Sequence, residues 1–234
     1  MELNRLDLDK IDSTSTFLKK HHNEYPEYTF VYAKTQTKGH GRMDREWDSG
    51  NDENLIVSFN LKDKYYMDHF DSLSLLCGTV ILELLKTYGI DDVSLKWPND
   101  VYVEDKKICG ILLEGSIPNY IIVGIGLNVN QSKLKFKTAT SLFNLLNEQI
   151  DLETLKDKFE KIMIKRLFEF KRDKSNYYKI YCEHNYLLDK TVRFEYHNNV
   201  LFGKVVGIDP DNKIAILNRG VVLHVSSGEI IVLQ

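Results

Sequence analysis

The chain has 234 residues, 43% of them hydrophobic and 28% charged, and its formal net charge is -3. This composition is typical of a globular protein and excludes a collagen-like or disordered chain. The negative net charge argues against a nucleic-acid-binding protein, because phosphate contact usually needs a basic face. No apolar run approaches the roughly 20 residues of a membrane helix, and the charged start MELNRLDLDK is unlike a signal peptide. We therefore expect a cytoplasmic protein that binds no DNA and no membrane.

The cysteines are Cys77, Cys109 and Cys182, an odd number at distant positions, and none belongs to a CxxC motif. Such a set predicts reduced, buried thiols in an intracellular protein. A metal site or a cysteine nucleophile is the less favoured alternative.

Helix and strand patterns alternate in the first part of the chain. The stretch DSTSTFLKKHH, from Asp12, predicts a capped helix, because Ser and Thr hydroxyls can accept the first free backbone N–H groups. TFVYAKTQT predicts a strand that runs into a glycine-containing loop, and NLIVSFNL, residues 54–61, predicts the strand that leaves it. From Asp68, apolar residues recur at helical spacing, and Gly89 is expected to end that helix.

Strands and then helices are predicted over the middle of the chain. VSLKWPNDVYVEDKKICGILLEG has the pattern of a strand, a turn and a strand, with a second turn at Glu104 to Lys107. NYIIVGIGLNVN is apolar and β-branched and predicts a central strand. Asp151 to about Arg172 has an apolar face and predicts an amphipathic helix, and a second helix is expected to continue toward Glu183.

The residue pattern changes after Asn185, from helical spacing to short β-branched runs. Five short β-branched runs follow one another, separated by turn sequences such as DPDN and SSGE. About 48 residues of this pattern predict a small barrel of SH3-like size.

A basic loop, residues 34–47 (KTQTKGHGRMDREW), combines positive charge with flexible backbone. Its basic side chains are Lys34, Lys38, His40, Arg42 and Arg45. Two glycines can adopt backbone conformations forbidden to other residues, and successive N–H groups can then hold an anion. The arginines add forked donors for phosphate or carboxylate, and the terminal tryptophan can stack on a ring. The alternative is a solvated surface loop, and the loop lacks the P-loop pattern.

Three further segments carry candidate site residues. Proline in KWPND predicts a stiff turn that presents Asn99 and Asp100, although the same residues also suit a plain turn. Lys107 precedes an apolar strand that contains Gly110, and a glycine inside a strand often marks the close approach of a ligand. The alternative for this lysine is a solvated surface position. In GIGLNVN, Asn128 is either a ligand contact or a satisfied core amide.

The order of these segments resembles the biotin protein ligases from about Ile11 to the end of the chain. The motifs are DSTS, Q-x2-G-x-G-R-x2-R-x-W, S-x4-NL, KWPND-x6-K-x2-GIL-x-E, GIGLNVN, ATSL and a late GEI. The resemblance implies an α/β catalytic domain of the class II aminoacyl-tRNA synthetase-like (biotin/lipoate ligase) fold, with a mixed β-sheet, over residues 1–186. It implies a small C-terminal SH3-like β-barrel over residues 187–234.

Ligases of this family form biotinyl-5'-AMP from biotin and ATP and release pyrophosphate. They then transfer biotin to a lysine of the biotin carboxyl carrier domain of a biotin-dependent carboxylase. Mg²⁺ is expected with ATP, held by phosphate oxygens and waters, and no residue is implied as a metal ligand. The first motif begins at about residue 12, so we expect the monofunctional form without an N-terminal DNA-binding domain and without a repressor role. Whether the chain forms a homodimer stays open.

The resemblance also implies roles for individual residues. The implied biotin-binding residues are Ser13, Thr14, Ser15, Gln36, Gly39, His40, Gly41, Arg42, Lys107 and Gly110. The implied ATP-binding residues are Arg42, Arg45, Trp47, Asn99, Lys107 and Asn128. The implied catalytic residues are Lys107 and Arg42, which balance developing negative charge, and Asp100, which orients or deprotonates the acceptor lysine.

Three positions depart from the family pattern. Asp44 replaces a common glycine, His40 stands where arginine or glutamine is frequent, and Ser15 stands where asparagine is common. The nearest alternative to a biotin ligase is a lipoate ligase or octanoyl transferase, which shares the catalytic fold. A non-enzymatic module, whose C-terminal barrel binds protein or RNA, is a second alternative. The negative net charge counts against it.

Overall fold

The computed structural model describes residues 3–197, 199–209 and 211–233, and the side chain of Asp44 lies outside the described part. In chain order the elements are β1 (Asn4–Ile11), α1 (Thr14–Lys20), β2 (Thr29–Gln36), β3 (Leu55–Leu61), α2 (Lys64–Asp68), α3 (Leu73–Lys86), β4 (Val93–Lys96), β5 (Asp100–Val103), β6 (Lys106–Ser116), β7 (Tyr120–Leu127), α4 (Leu142–Leu146), α5 (Leu152–Arg172), α6 (Ser175–Glu183), β8 (Thr191–Tyr196), β9 (Asn199–Ile208), β10 (Ile214–Asn218), β11 (Val221–Val225) and β12 (Ile230–Val232).

Seven strands form one mixed sheet in the order β1-β2-β3-β7-β6-β5-β4. Strands β1 and β2 are parallel and the other neighbours are antiparallel. The α/β class and the mixed sheet are therefore confirmed. The central strands β3 and β7 are almost wholly buried, which explains their continuous apolar sequences. Strand β1 was not predicted from the sequence. Half of its residues are charged, and only Leu6 and Leu8 alternate with polar residues as in a half-buried strand.

The long helices begin and end close to the predicted residues. Asp151 caps α5 by accepting the N–H of Thr154 at 2.8 Å, and Ser13 caps α1. The helix predicted from Asp68 is instead interrupted, since α3 begins at Leu73 after a 3-10 turn. Gly89 follows α3 with a φ of +76°, a conformation that suits glycine and ends the helix.

The turn predicted at Glu104 to Lys107 is shorter than expected. Only Glu104 and Asp105 form it, both with left-handed φ values of 49° and 60°, and Lys106 already begins β6. Lys107 therefore lies on a strand, where successive side chains point to opposite faces. This placement separates the two neighbouring lysines, of which Lys106 is exposed and Lys107 half-buried.

The C-terminal part contains the five predicted strands. They pair antiparallel in the order β11-β10-β9-β8-β12. The described pairings do not join β11 to β12, so the closed SH3-like barrel stays a prediction.

Trp97, from the KWPND motif, is a buried core residue. Its side chain is 2% exposed, and its indole N–H donates to the backbone carbonyl of Asn212 at 3.0 Å. The side chain of Asn212 in turn donates to the backbone carbonyl of Asp71. Trp97 therefore joins the large sheet to the C-terminal sheet.

Trp97→Ala is expected to lower the free energy of unfolding by about 3–5 kcal/mol, because it removes a large buried ring and an N–H donor. Trp97→Phe, which keeps most of the ring, should cost clearly less. Urea unfolding followed by circular dichroism measures both. A loss below about 1 kcal/mol in the alanine variant would show that the two sheets do not depend on this contact.

The cysteines are free, as predicted; Cys77 and Cys109 are buried, whereas Cys182 is half-buried, contrary to the prediction. Burial raises the pKa of Cys77 to about 12 and raises that of Cys109 further, so neither thiol is a reactive nucleophile near neutral pH. Within the described part, no helix has the length and apolarity needed to cross a membrane.

Candidate active site

One cavity of about 610 Å³ opens over the large sheet. Its lining brings Arg42 and Lys107 together from segments far apart in sequence. The predicted site residues that line it are Ser13, Thr14, Ser15, Gln36, His40, Gly41, Arg42, Arg45, Trp47, Asn99, Asp100, Lys107, Gly110 and Asn128. Gly39 is the predicted residue that is absent from the lining.

The start of α1 supplies a polar end to the cavity. Thr14 donates to Gln36 Oε1 through its backbone N–H at 2.7 Å and through its hydroxyl at 3.1 Å. The same hydroxyl lies 2.7 Å from Ser58 Oγ, and Ser13 Oγ lies 3.0 Å from Ser15 Oγ. These short links hold several hydroxyl and amide groups in fixed positions on buried backbone. Ser58, on β3, was missed because an isolated serine in an apolar strand gives no sequence signal.

The basic loop folds back on itself over the cavity. The backbone N–H of Gly41 donates to the Arg45 carbonyl at 2.7 Å, and that of Trp47 donates to the Gly39 carbonyl at 2.9 Å. Contrary to the prediction from the glycines, the left-handed φ in this loop belongs to Met43, at 54°. Gly39 instead permits close packing, since a Cβ there would lie 2.6 Å from the Trp47 carbonyl oxygen.

Arg42 is turned toward the KWPND turn. Its Nη1 donates to Asn99 Oδ1 at 3.3 Å. Burial lowers the pKa of Arg42, while the charge of Asp100 opposes that change, and a guanidinium remains protonated at any pH the protein encounters. Asn99 is anchored by donating to the Ile111 carbonyl at 2.6 Å and by accepting the Ile111 N–H at 2.9 Å. The cation is therefore held over β5 and β6.

Lys107 and Asp100 form an ion pair in the cavity. Strand pairing places Asp100 opposite Gly110, and Asp100 Oδ1 lies 2.7 Å from Lys107 Nζ. The oxygen is buried, so solvent screens this ion pair less than an exposed one. The backbone of Lys107 donates to the Thr138 carbonyl at 2.9 Å and accepts from the Thr140 N–H at 2.9 Å.

Asn128 has the hydrogen bond of a core amide and also lies in the lining of the cavity. Its amide nitrogen donates to the Thr140 carbonyl at 2.9 Å, as a satisfied core amide does, yet the residue also lines the cavity. The motif ATSL, residues 139–142, therefore supports both Asn128 and Lys107.

Two glycines form the floor on which Trp47 lies. A Cβ at Gly110 would come within 2.9 Å of the Trp47 ring and 3.3 Å of Lys107 Cε, and a Cβ at Gly126 would overlap the same ring. Only glycine at these positions lets an indole approach the sheet so closely. Lys107 Nζ lies 5.4 Å from the ring centroid, within cation–π range.

The C-terminal sheet closes one side of the cavity with Gly228, Glu229 and Ile230. Arg45, predicted to meet phosphate, lies 2.8 Å from Glu229, with side-chain exposures of 61% and 48%. Exposed ion pairs of this kind contribute little stability, so the guanidinium can exchange this carboxylate for another anion.

Lys96 also lines the cavity and was not among the predicted site residues. Burial lowers the pKa of Lys96, and the charges of Asp100 and Glu229 oppose that change. Its ammonium lies 4.9 Å from the Tyr102 ring centroid. Lys96 is the first residue of the KWPND motif, and this position could have identified it as a site residue.

The fold and the cavity define an α/β enzyme whose site combines the polar start of α1 with the cations Arg42 and Lys107, an arrangement that suits a ligand with a polar group and an anionic group. The chain belongs to the biotin/lipoate A/B protein ligase family, whose sequence model matches residues 8–129. The resemblance inferred from the motifs is thereby confirmed.

Individual relatives agree with this membership. The chain is 28% identical over 233 residues to the bifunctional ligase/repressor BirA of Bacillus spizizenii, covering 95% of this chain and 72% of that protein. It is 26% identical to the biotin--[acetyl-CoA-carboxylase] ligase of Mycobacterium tuberculosis, covering 87% and 79%. The biotin protein ligase from Aquifex aeolicus in complex with biotin and ATP superposes with a TM-score of 0.88 at 30% identity, covering 99% of both chains.

Proposed function

We propose that the protein is an ATP-dependent biotin protein ligase. It joins biotin to AMP and then transfers biotin to one lysine of a biotin carboxyl carrier domain. The observation that carries this proposal is the shared cavity of Arg42, Lys107 and the polar start of α1. Its volume of about 610 Å³ lies within the range of small-molecule sites.

In the bound state the polar end holds the ureido ring of biotin. Thr14, Gln36 and the neighbouring serines offer hydroxyl and amide partners, which a buried ureido group needs because an unpaired polar group costs about 1–3 kcal/mol. The apolar ring and tail pack against the Trp47 indole, which covers Gly110 and Gly126. The carboxylate then reaches the cationic end.

Adenylation requires an oxygen of the biotin carboxylate to attack the α-phosphorus of ATP. The bond from that phosphorus to the β-phosphate oxygen breaks, and pyrophosphate leaves with the electron pair. Arg42 and Lys107 stabilise negative charge on the carboxylate and on the phosphoryl oxygens as it redistributes. Lys107 exchanges its contact with Asp100 for these oxygens.

Transfer begins when the neutral amine of the acceptor lysine attacks the carbonyl carbon of the anhydride. The carbon–oxygen bond to phosphate breaks, AMP leaves, and an amide remains. A free lysine is almost wholly protonated near neutral pH, so a nearby carboxylate that accepts or orients the proton aids the step. We assign that role to Asp100, once Lys107 has turned toward the substrate.

Mg²⁺ fits this site as a companion of the nucleotide. Within the described ranges, no group of three or more Asp, Glu, His or Cys side chains is arranged to hold a metal. A magnesium ion would therefore be bound by phosphate oxygens and waters, where it neutralises charge.

Pyrophosphate release tests the proposal. The purified chain should release pyrophosphate with biotin and ATP, and should label a purified biotin carboxyl carrier domain on lysine. Lipoate in place of biotin should give little release. A preference for lipoate would favour the lipoate ligase alternative, and no release with either acid would reject the ligase assignment.

The proposal includes a catalytic domain over residues 1–186 and an SH3-like domain over residues 187–234. It also includes the absence of a repressor role for residues 1–234. The contacts of Glu229 and Trp97 support a C-terminal sheet that completes the catalytic site. A gel-shift band with biotin-operator DNA at moderate salt that depends on biotinyl-AMP would contradict the last point.

A further inference from the structure

The imidazole of His40 lies between two groups that can only accept hydrogen bonds. Its Nδ1 is 3.3 Å from the backbone carbonyl oxygen of Lys38, and its Nε2 is 3.6 Å from Glu114 Oε2. A neutral imidazole carries one N–H and one lone pair, so it can donate to only one of these oxygens. The side chain therefore bridges the loop backbone and β6, and a doubly protonated ring could donate to both oxygens.

One carboxylate oxygen of Glu114, on β6, accepts a hydrogen bond, and the other does not. Its Oε1 accepts from Lys19 Nζ at 2.5 Å, which links β6 to helix α1. Its Oε2 is buried and has no hydrogen-bond partner among the residues that the structure describes. A buried carboxylate oxygen without a donor is unfavourable, and an approach of His40 Nε2 by less than about 1 Å would supply a charge-assisted bond.

Among the described residues, Lys19 and His40 are the basic side chains in ion-pair contact with Glu114. On β7, the residue paired with Glu114 is the buried, apolar Ile122.

We propose that His40 is a positioning residue whose imidazole ring clamps the basic loop to β6. Glu114 is the shared anchor, because it bonds Lys19 of α1 on one side and the loop on the other. The clamp holds Gly41 and Arg42 at the cavity and couples the cationic end to the polar end. The clamp itself is a property of the chain, and only its kinetic consequence rests on the proposed ligase function.

Hydrogen exchange of the ligand-free protein tests the clamp directly. We expect the amides of residues 38–47 to be about tenfold better protected in the wild-type protein than in His40→Ala. His40→Arg should keep most of this protection, because a guanidinium can also donate to Glu114. Glu114→Gln keeps an acceptor for Lys19 but loses the charge, and its loop should be less protected than that of the wild-type protein.

His21→Ala is the matched control, because His21 lies on the surface of α1's C-terminal end and contacts Glu24. Its loop protection should follow that of the wild-type protein. Equal protection in His40→Ala and the wild-type protein would overturn the proposal.

Steady-state kinetics separate the clamp from the proposed function. The KM for biotin should rise severalfold in His40→Ala and change little in His40→Arg, and the effect of His40→Ala should be larger on KM than on kcat. A wild-type enzyme that releases no pyrophosphate would reject the ligase function, and the exchange experiment would then test the clamp alone. An unchanged KM for biotin in His40→Ala would reject the kinetic role.

Discussion

Lys107→Ala is expected to fold normally and to lose biotinyl-AMP formation by about 10²–10³-fold or more. The ammonium lies in the cavity beside Asp100, at 2.7 Å, and its backbone is held on both sides by the segment around Thr140. A preorganised donor aimed at developing charge is worth about that factor in enzymes where one has been removed. Single-turnover pyrophosphate release measures the loss.

The neighbouring lysine provides the control for this prediction. Lys106→Ala removes the same side chain from the preceding position of β6, where it is exposed. This variant should retain close to wild-type adenylation and stability. Near-wild-type turnover in Lys107→Ala, with an unchanged unfolding transition, would reject Lys107 as the central cation.

Asp100→Asn is expected to separate the two half-reactions. The substitution keeps the size of the side chain and removes its charge, so the amine of the acceptor lysine loses its proton acceptor. Transfer from preformed biotinyl-AMP to the carrier domain should fall by about 10²–10⁴-fold, the usual range for a general base. Adenylation should fall much less, because Lys107 remains available to the carboxylate and phosphate.

Asp105→Asn is the companion variant, since this carboxylate lies in the turn between β5 and β6 with a side-chain exposure of 80%. It should alter neither half-reaction. The two steps are measured separately, as pyrophosphate release and as loss of purified biotinyl-AMP to the carrier. An equal decrease in both steps of Asp100→Asn would show that Asp100 acts only by holding Lys107.

The charged groups of the site pair with one another. Lys107 and Asp100 form one such ion pair in the cavity. Arg45 and Glu229 form a comparable pair at the cavity rim, joining the loop to the C-terminal sheet. Pairing lowers the cost of holding unpartnered charges in a partly buried cavity. Ligand binding then exchanges one set of partners for another.

Much of the fold was readable from local patterns. The five short C-terminal strands, the long helix α5 capped by Asp151 and the buried strands β3 and β7 all follow from periodicity and turn residues. Strand β1 was missed because its pattern mixes charge with apolar residues. The helix near Asp68 was interrupted, and the turn before Lys106 was shorter than expected, because residue preferences do not determine element boundaries.

The sequence by itself determined the family and the residue types of the site, because the order and spacing of motifs are properties of the linear sequence. The tertiary structure decided which atoms meet. Strand register places Asp100 against Lys107, close packing places Trp47 on Gly110 and Gly126, and the C-terminal sheet brings Glu229 to Arg45. These contacts join residues distant in sequence, and they depend on the register of strand pairing and on side-chain volume. Neither is encoded in any local stretch.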